Sequence, residues 1–195
     1  MNVPRFSITP LSREHQKSGF CSGSDLLDRY FSERVGQDVK RNLTKCFVAI
    51  DNSHERIAGF YTLSTAQIPL FQLPEKLADK MPHYHAVPAS RLGRLAIDKS
   101  YQGEGLGSTL IADALMRSSS ASMAVYALLV DAKDENASTF YLHHGFIPCV
   151  GAPHMNLLYF HGCDVKSRVY ELFFAEPVAP STAPTGTCRM SNRPV

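Results

Sequence analysis

Tryptophan is absent from the 195 residues, and nowhere does an apolar run approach the length of a membrane span, about 20 residues. The opening Met1-Asn-Val-Pro-Arg-Phe has no basic stretch followed by an apolar core, so it does not read as a secretory leader. A cytoplasmic protein without membrane contact is expected. Cysteine is sparse: Cys21, Cys46, Cys149, Cys163 and Cys188 are scattered, odd in number and form no C-x-x-C pair. That pattern argues against a disulfide framework and against a structural zinc site; reduced thiols and no metal are expected. Charge of one sign is also missing. Twenty Lys and Arg face eighteen Asp and Glu, for a net +2. The sum demands no polyanionic partner, although clustering matters more than the sum.

What remains is an ordinary globular composition, 44% hydrophobic and 19% charged, long enough for one sizeable core and short for two domains. Residues 5–9 suggest a short first strand. Leu26, Leu27, Tyr30, Phe31 and Val35 recur at helical spacing, which predicts one amphipathic helix over residues 25–39. Cys46–Ile50 and Ile57–Leu63 read as a hairpin around the turn residues 51–55. Prolines 69, 74, 82 and 88 mark a surface excursion over residues 68–88, with a short helix near Glu75–Lys80. Leu92–Ile97 is the next strand. Leu106, Leu110, Ile111, Ala114 and Leu115 then bury one face of a helix over 105–118. Val125–Val130 is apolar throughout, as a strand covered on both faces is. A helix over 134–144 capped by Gly145, and strands at Phe146–Val150 and Met155–Phe160, complete the core. Val169–Phe174 adds a candidate strand before a Pro/Ser/Thr-rich tail expected to be disordered. The order predicts a single α/β (α+β) domain on a mixed, mostly antiparallel sheet flanked by helices.

The most informative stretch is Arg94-Leu-Ala-Ile-Asp-Lys-Ser-Tyr-Gln-Gly-Glu-Gly-Leu-Gly107, in which a strand runs into a glycine-spaced turn and a helix follows at once. Glycines let the backbone approach a ligand, and the helix start offers unpaired N–H groups to a phosphate. A nucleoside-triphosphate loop would need a lysine before Ser108, and none is there. The dinucleotide fingerprint spaces its glycines G-x-G-x-x-G, whereas Gly103, Gly105 and Gly107 run G-x-G-x-G.

Gln102-Gly-Glu-Gly-Leu-Gly107 resembles the Q/R-x-x-G-x-G/A turn of the GNAT acetyltransferases at every required position. Asn136-Ala-Ser-Thr-Phe-Tyr-Leu-His-His-Gly-Phe146 resembles that family's second hallmark. Phe20–Phe31, Gly59–Ser64, Leu92–Asp98 and Val130–Lys133 extend the likeness to one GNAT subgroup, the toxins of type II toxin–antitoxin modules. Two departures stand out. Ser22 shifts Gly23 one position beyond the usual C-G pair, and nothing after Phe160 matches the family. Residues 1–160 are therefore expected to be the acetyltransferase domain and 161–195 an extension.

The resemblance implies acetyl transfer from acetyl-CoA to the amino group of aminoacyl-tRNA, which stops translation. It also implies a ribbon-helix-helix antitoxin, operator DNA reached only through that antitoxin, and a homodimer. Main-chain N–H groups of Leu95, Ala96 and Ile97 would polarise the thioester carbonyl, and the backbone of Gln102, Gly103, Glu104, Gly105, Leu106 and Gly107 would hold the pyrophosphate. Asn136 and Phe140 would touch the cofactor, and Tyr141 would act as general acid toward the leaving thiolate. No general base is obvious; His143 and His144 read as surface histidines. For tRNA phosphates the candidates are Arg94 first, then Arg91, Lys40, Arg41 and Lys45, with Lys99, Arg117 and Lys133 further off. The same fold also serves acetyltransferases acting on small amines or protein amines, and a non-catalytic acetyl-CoA-binding domain is a third class, disfavoured by Tyr141.

Overall fold

The computed structural model describes residues 4–160. Seven strands form one sheet in the order β1-β2-β3-β4-β5-β7-β6. They are β1 (Phe6–Pro10), β2 (Lys45–Asp51), β3 (Arg56–Pro69), β4 (Ala86–Ile97), β5 (Ala127–Asp131), β6 (Ile147–Cys149) and β7 (Ala152–Tyr159). Every neighbouring pair is antiparallel except β4 and β5. Parallel neighbours need a crossover, and here α4 (Leu106–Ser119) supplies it. The mixed, mostly antiparallel sheet and its helices are as the sequence predicts.

The expected helix over 25–39 is present but not uniform. It runs as α1 (Asp25–Arg29), a π turn (Tyr30–Arg34) and α2 (Val35–Lys40). The Ser32 hydroxyl lies 3.0 Å from the Asp28 carbonyl and 3.1 Å from that of Arg29, taking up acceptors of the preceding turn. The π turn buries Tyr30 and Phe31, and Phe31 stacks on Phe60 of β3 at 4.2 Å between centroids. The excursion is also shorter than expected. β3 and β4 pair from Pro69↔Ala86 onward, so the hairpin arms reach into the proline-bearing stretch and only residues 70–85 leave the sheet, carrying α3 (Glu75–Ala78). Pro69 and Pro88 lie within strands because the long hairpin's pairing outweighs their poor strand propensity. The possible strand and tail beyond residue 160 lie outside the described residues.

The sheet's two faces are covered differently. On one, α4 and α5 (Glu135–His143) bury Leu106, Leu110, Ile111, Leu115 and Tyr141 against Tyr61, Leu92, Leu128 and Val130. On the other, α1 and α2 cover Val48, Phe60 and Ala96, and residues 70–85 cover Val87, Ala127 and Leu129. Strand alternation explains the sorting: Leu128 and Val130 point to α4 and α5, and Ala127 and Leu129 point away. Cys46 and Cys149 are buried thiols, raised by burial to about 12 and about 11, and are inert hydrophobes at neutral pH. Leu110 is fully buried in the α4 layer. Leu110→Ala is expected to cost about 2–5 kcal/mol, read as a lower urea midpoint.

Candidate active site

β4 and β5 pair only over Ala89–Leu92 against Ala127–Val130. Beyond that the strands part. From Gly93 to Ile97 the β5-facing edge of β4 has no strand partner among the described residues, while its other edge stays paired to β3. A cavity of about 480 Å³ occupies the opening. Its walls are Leu92 to Ile97 of β4, Asp131 and Lys133 at the end of β5, Ala137 and Tyr141 of α5, and Ser22, Gly23, Ser24 and Leu27. An unpaired strand edge lining a cavity offers main-chain N–H groups to a ligand.

A second cavity, about 290 Å³, continues from the same strand end. Leu95, Ile97 and Gln102 line both, and Tyr101, Gly103, Gly105, Leu106, Gly107, Ser108 and Phe140 complete it. Gly103 and Gly105 adopt φ of +80° and +77°, and a Cβ at either position would meet nothing within 4 Å. The turn thus requires glycine for its conformation and leaves the start of α4 open. Gly105 caps α4 without a side-chain hydrogen bond, so the first N–H groups of a 14-residue helix face this space. These amides and the helix pole suit a diphosphate. Gly107 is small for another reason, since a Cβ there would lie 3.3 Å from Phe140 Cζ.

Several side chains hold the turn in place. The Gln102 amide donates to the Ser22 carbonyl at 2.9 Å and the Ile97 carbonyl at 3.0 Å, tying the loop before α1 to the strand end. Asp98 accepts from the Cys21 and Ser100 N–H groups, both at 2.9 Å. The Tyr101 hydroxyl donates to Asp51 at 3.0 Å. His144 corrects the surface expectation: it is buried, its Nδ1 donates to the Phe140 carbonyl at 2.7 Å, and its Nε2 lies 2.8 Å from Ser108 Oγ. Burial lowers its pKa, so the neutral ring joins α5 to the start of α4. His143 is exposed, as expected.

Tyr141 faces the first cavity from α5 and is otherwise buried. Burial, then the negative charge of Asp131, pushes its phenol up to about 12. Asn136 and Glu104 are not brought to either cavity. Asn136 is exposed on the first turn of α5, where Ala137 faces inward instead, and Glu104 pairs with Arg5 at 2.8 Å.

A third cavity, about 390 Å³, opens on the sheet face away from α4 and α5. It shares Gly93, Arg94 and Asp131 with the first and adds Tyr30, Asp38, Leu43, Thr44, Thr62, Ser64 and Arg91. Arg91 and Arg94 are three residues apart and would point oppositely on a regular strand. A bulge, in which Thr62 pairs with Arg94 and Leu63 with Leu92, skips Gly93 and turns both arginines into this cavity. Arg94 lies over the Tyr30 ring at 3.6 Å, and Tyr30 donates to Asp38 at 3.0 Å. Arg91 pairs with Asp131 at 3.5 Å. Lys40, Arg41 and Lys45 are exposed beside Leu43 and Thr44 on the cavity rim. Arg117 is elsewhere, held by Asp113 at 2.7 Å and over Phe47 at 4.2 Å. Asp131 was missed as a site residue; its signal was a lone acid ending an otherwise apolar strand.

Comparison with known proteins agrees with this geometry. Residues 81–157 match the family model described as an acetyltransferase (GNAT) domain. A tRNA-acetylating toxin of Mycobacterium tuberculosis is 35% identical over 131 residues, 66% of this chain and 76% of that protein. A crystal structure of a KacT mutant superimposes with a TM-score of 0.76 at 28% identity, covering 87% of this chain and all of the other. AtaT complexed with acetyl-methionyl-tRNAfMet gives 0.73 at 29% identity, covering 79% and 94%. A mutant AtaT bound to acetyl-CoA and the C-terminus of its antitoxin AtaR gives 0.68 at 26%, covering 88% and 100%.

Asp51 underpins the Tyr101 end of the turn. Its hydrogen bonds to His54, to the Ser53 N–H and to Tyr101 lower its pKa to about 2. The stability it contributes is fully present above the ordinary aspartate value of about 3.9 and is lost as pH falls toward about 2. Asp51→Asn is expected to flatten the fall in urea midpoint between pH 4 and pH 2 relative to the unaltered chain.

Proposed function

The chain belongs to the GNAT acetyltransferase family of tRNA-acetylating toxins, and from that premise we propose that it transfers an acetyl group from acetyl-CoA to the amino group of aminoacyl-tRNA and so blocks translation. The observation that carries this is the meeting, at the parting of β4 and β5, of a cofactor-sized cleft on the α4–α5 face and a cation-lined cavity on the other. Acetyl-CoA fits the first. Its diphosphate lies against the amides of Gln102 to Gly107, Phe140 packs beside it, and its thioester reaches the unpaired edge of Leu95 to Ile97. There the N–H groups stabilise charge developing on the carbonyl oxygen, an effect worth about 2.7–4 kcal/mol per donor in comparable sites.

Tyr141 stands across that opening. The amine nitrogen forms the new N–C bond, the C–S bond breaks, and the phenol gives its proton to the departing thiolate. A phenol near pKa 12 is fully protonated at neutral pH. The burial that raises it also raises a thiolate in the same cavity, so donor and acceptor stay closer than their values in water imply. Arg94, Arg91, Lys40, Arg41 and Lys45 bind the tRNA backbone without reading its sequence.

The same proposal extends to the partners. The antitoxin is of the ribbon-helix-helix type, operator DNA is engaged only through it, and the enzyme is a cytoplasmic homodimer whose acetyltransferase domain is residues 1–160. AtaT bound to the C-terminus of AtaR supports an antitoxin partner. Among the described residues no helix is long and apolar enough to cross a membrane.

Purified protein with labelled acetyl-CoA and charged tRNA is expected to place label on the aminoacyl-tRNA; label only on small amines or on protein contradicts the proposal. Tyr141→Phe is expected to slow transfer by about 10²–10⁴-fold while leaving acetyl-CoA affinity unchanged by calorimetry. Full turnover by that variant would remove Tyr141 as the acid.

A further inference from the structure

We propose that Asp131 receives the α-ammonium group of the acceptor and takes its first proton, which makes it the base on the acceptor side of the reaction. The inference rests on the aminoacyl-tRNA acetyltransferase reading and assigns the amine-binding group of that site.

The placement follows from strand geometry. Leu92↔Val130 is the last pair between β4 and β5, and Asp131 is the next residue of β5. Its carboxylate therefore stands where the strands separate. Alternation puts it on the face of Ala127 and Leu129, opposite the face of Leu128, Val130 and Tyr141. Together with Gly93 and Arg94 it lines both the cleft holding Tyr141 and the cavity holding Arg91, Arg94 and Tyr30. An acceptor entering from the arginine-lined side passes Asp131 before it meets the edge of β4.

The surrounding charges fit that duty. Arg91 pairs with Asp131 from β4 at 3.5 Å, Arg94 lies on the same face of β4, Lys133 follows on the cavity wall, Tyr141 of α5 lines the first cavity with it, and Asp38 of α2 lines the third. Arginines here suit phosphate, and they repel an ammonium ion. Asp131 and Asp38 are the acids lining the third cavity; Asp38 is engaged by the Tyr30 hydroxyl, whereas the Asp131 side chain keeps 47% of its surface exposed. Asp131 is thus the anion that meets the amino group at the mouth, with solvent beside it to carry protons away.

The proton count closes. The ammonium gives one proton to the Asp131 carboxylate, which passes it to water. The neutral amine then attacks, the N–C bond forms and the C–S bond breaks. Tyr141 protonates the thiolate, and the second nitrogen proton returns to the tyrosinate. The products are the N-acetylated aminoacyl-tRNA, coenzyme A thiol and one proton in solution.

The test compares acceptors with and without the amino group. Nitrous acid converts charged tRNA into its hydroxyacyl counterpart, which keeps the side chain, ester and tRNA and loses the ammonium. As competitors against acetylation of a labelled charged tRNA, unlabelled charged tRNA is expected to outdo hydroxyacyl-tRNA by about tenfold or more, the usual strength of a hydrogen bond to a charged group. In Asp131→Asn that preference falls to about unity, KM for charged tRNA rises, and the rate recovers as pH is raised toward 9. Asp131→Glu restores part of the preference. An unchanged urea midpoint shows that Asp131→Asn is folded; if it does not fold, the preference in the unaltered enzyme and in Asp131→Glu decides. Equal inhibition by the two tRNAs in the unaltered enzyme, or a preference that survives Asp131→Asn, overturns the assignment while the acetyltransferase reading stands. No acetylation of charged tRNA by the unaltered enzyme overturns that reading instead.

Discussion

Two parallel strands that pair for four residues and then separate set the terms for everything else in this molecule. A sheet normally satisfies its backbone through its neighbours. Here the edge of β4 from Gly93 to Ile97 is left open, yet the strand cannot collapse onto β5, because β3 holds its other edge through Ile97 and the layers on both faces pin it. The opening is therefore a fixed feature of the fold and not a fluctuation. It offers main-chain donors to a carbonyl without the desolvation of a charged side chain, and it connects the two faces of the sheet at one point.

Both faces are organised around that point. On the α4–α5 side, left-handed Gly103 and Gly105 leave the helix start bare, and the His144–Ser108 contact holds α5 so that Phe140 and Tyr141 keep their places. On the other side, the bulge at Gly93 turns Arg91 and Arg94 to a common face. The loop before α1 closes the cleft's edge and is fixed by Asp98 and Gln102, side chains that belong to the turn itself. One short segment thus builds the cofactor turn, anchors the opposite wall and presents the reactive edge.

The sequence made much of this legible because its strongest signals are local. Glycine spacing, the period of Leu106 to Leu115 and the apolar run before Asp131 depend only on neighbours in the chain, and each fell where expected. The π turn at Tyr30–Arg34 was hidden because its periodicity matches an ordinary helix; the Ser32 hydroxyl's bonds to the backbone carbonyls of Asp28 and Arg29 emerge only in the folded chain. The length of the β3–β4 hairpin was hidden by prolines that usually end strands. His144 and Asp131 escaped for a different reason: their surroundings come from residues 36 and 40 positions away, Ser108 and Arg91, which only the folded chain brings near.

The central claim is that acetyl-CoA lies along the open edge of β4 with its diphosphate at the glycine turn. Amide resonances of the ¹⁵N-labelled protein, followed as acetyl-CoA is added, test it most directly. The account predicts saturable shifts at Leu95 to Ile97 and at Gln102 to Gly107, together, with one binding curve. Saturation that leaves both segments unmoved, or no response at millimolar acetyl-CoA from well-folded protein, would contradict it.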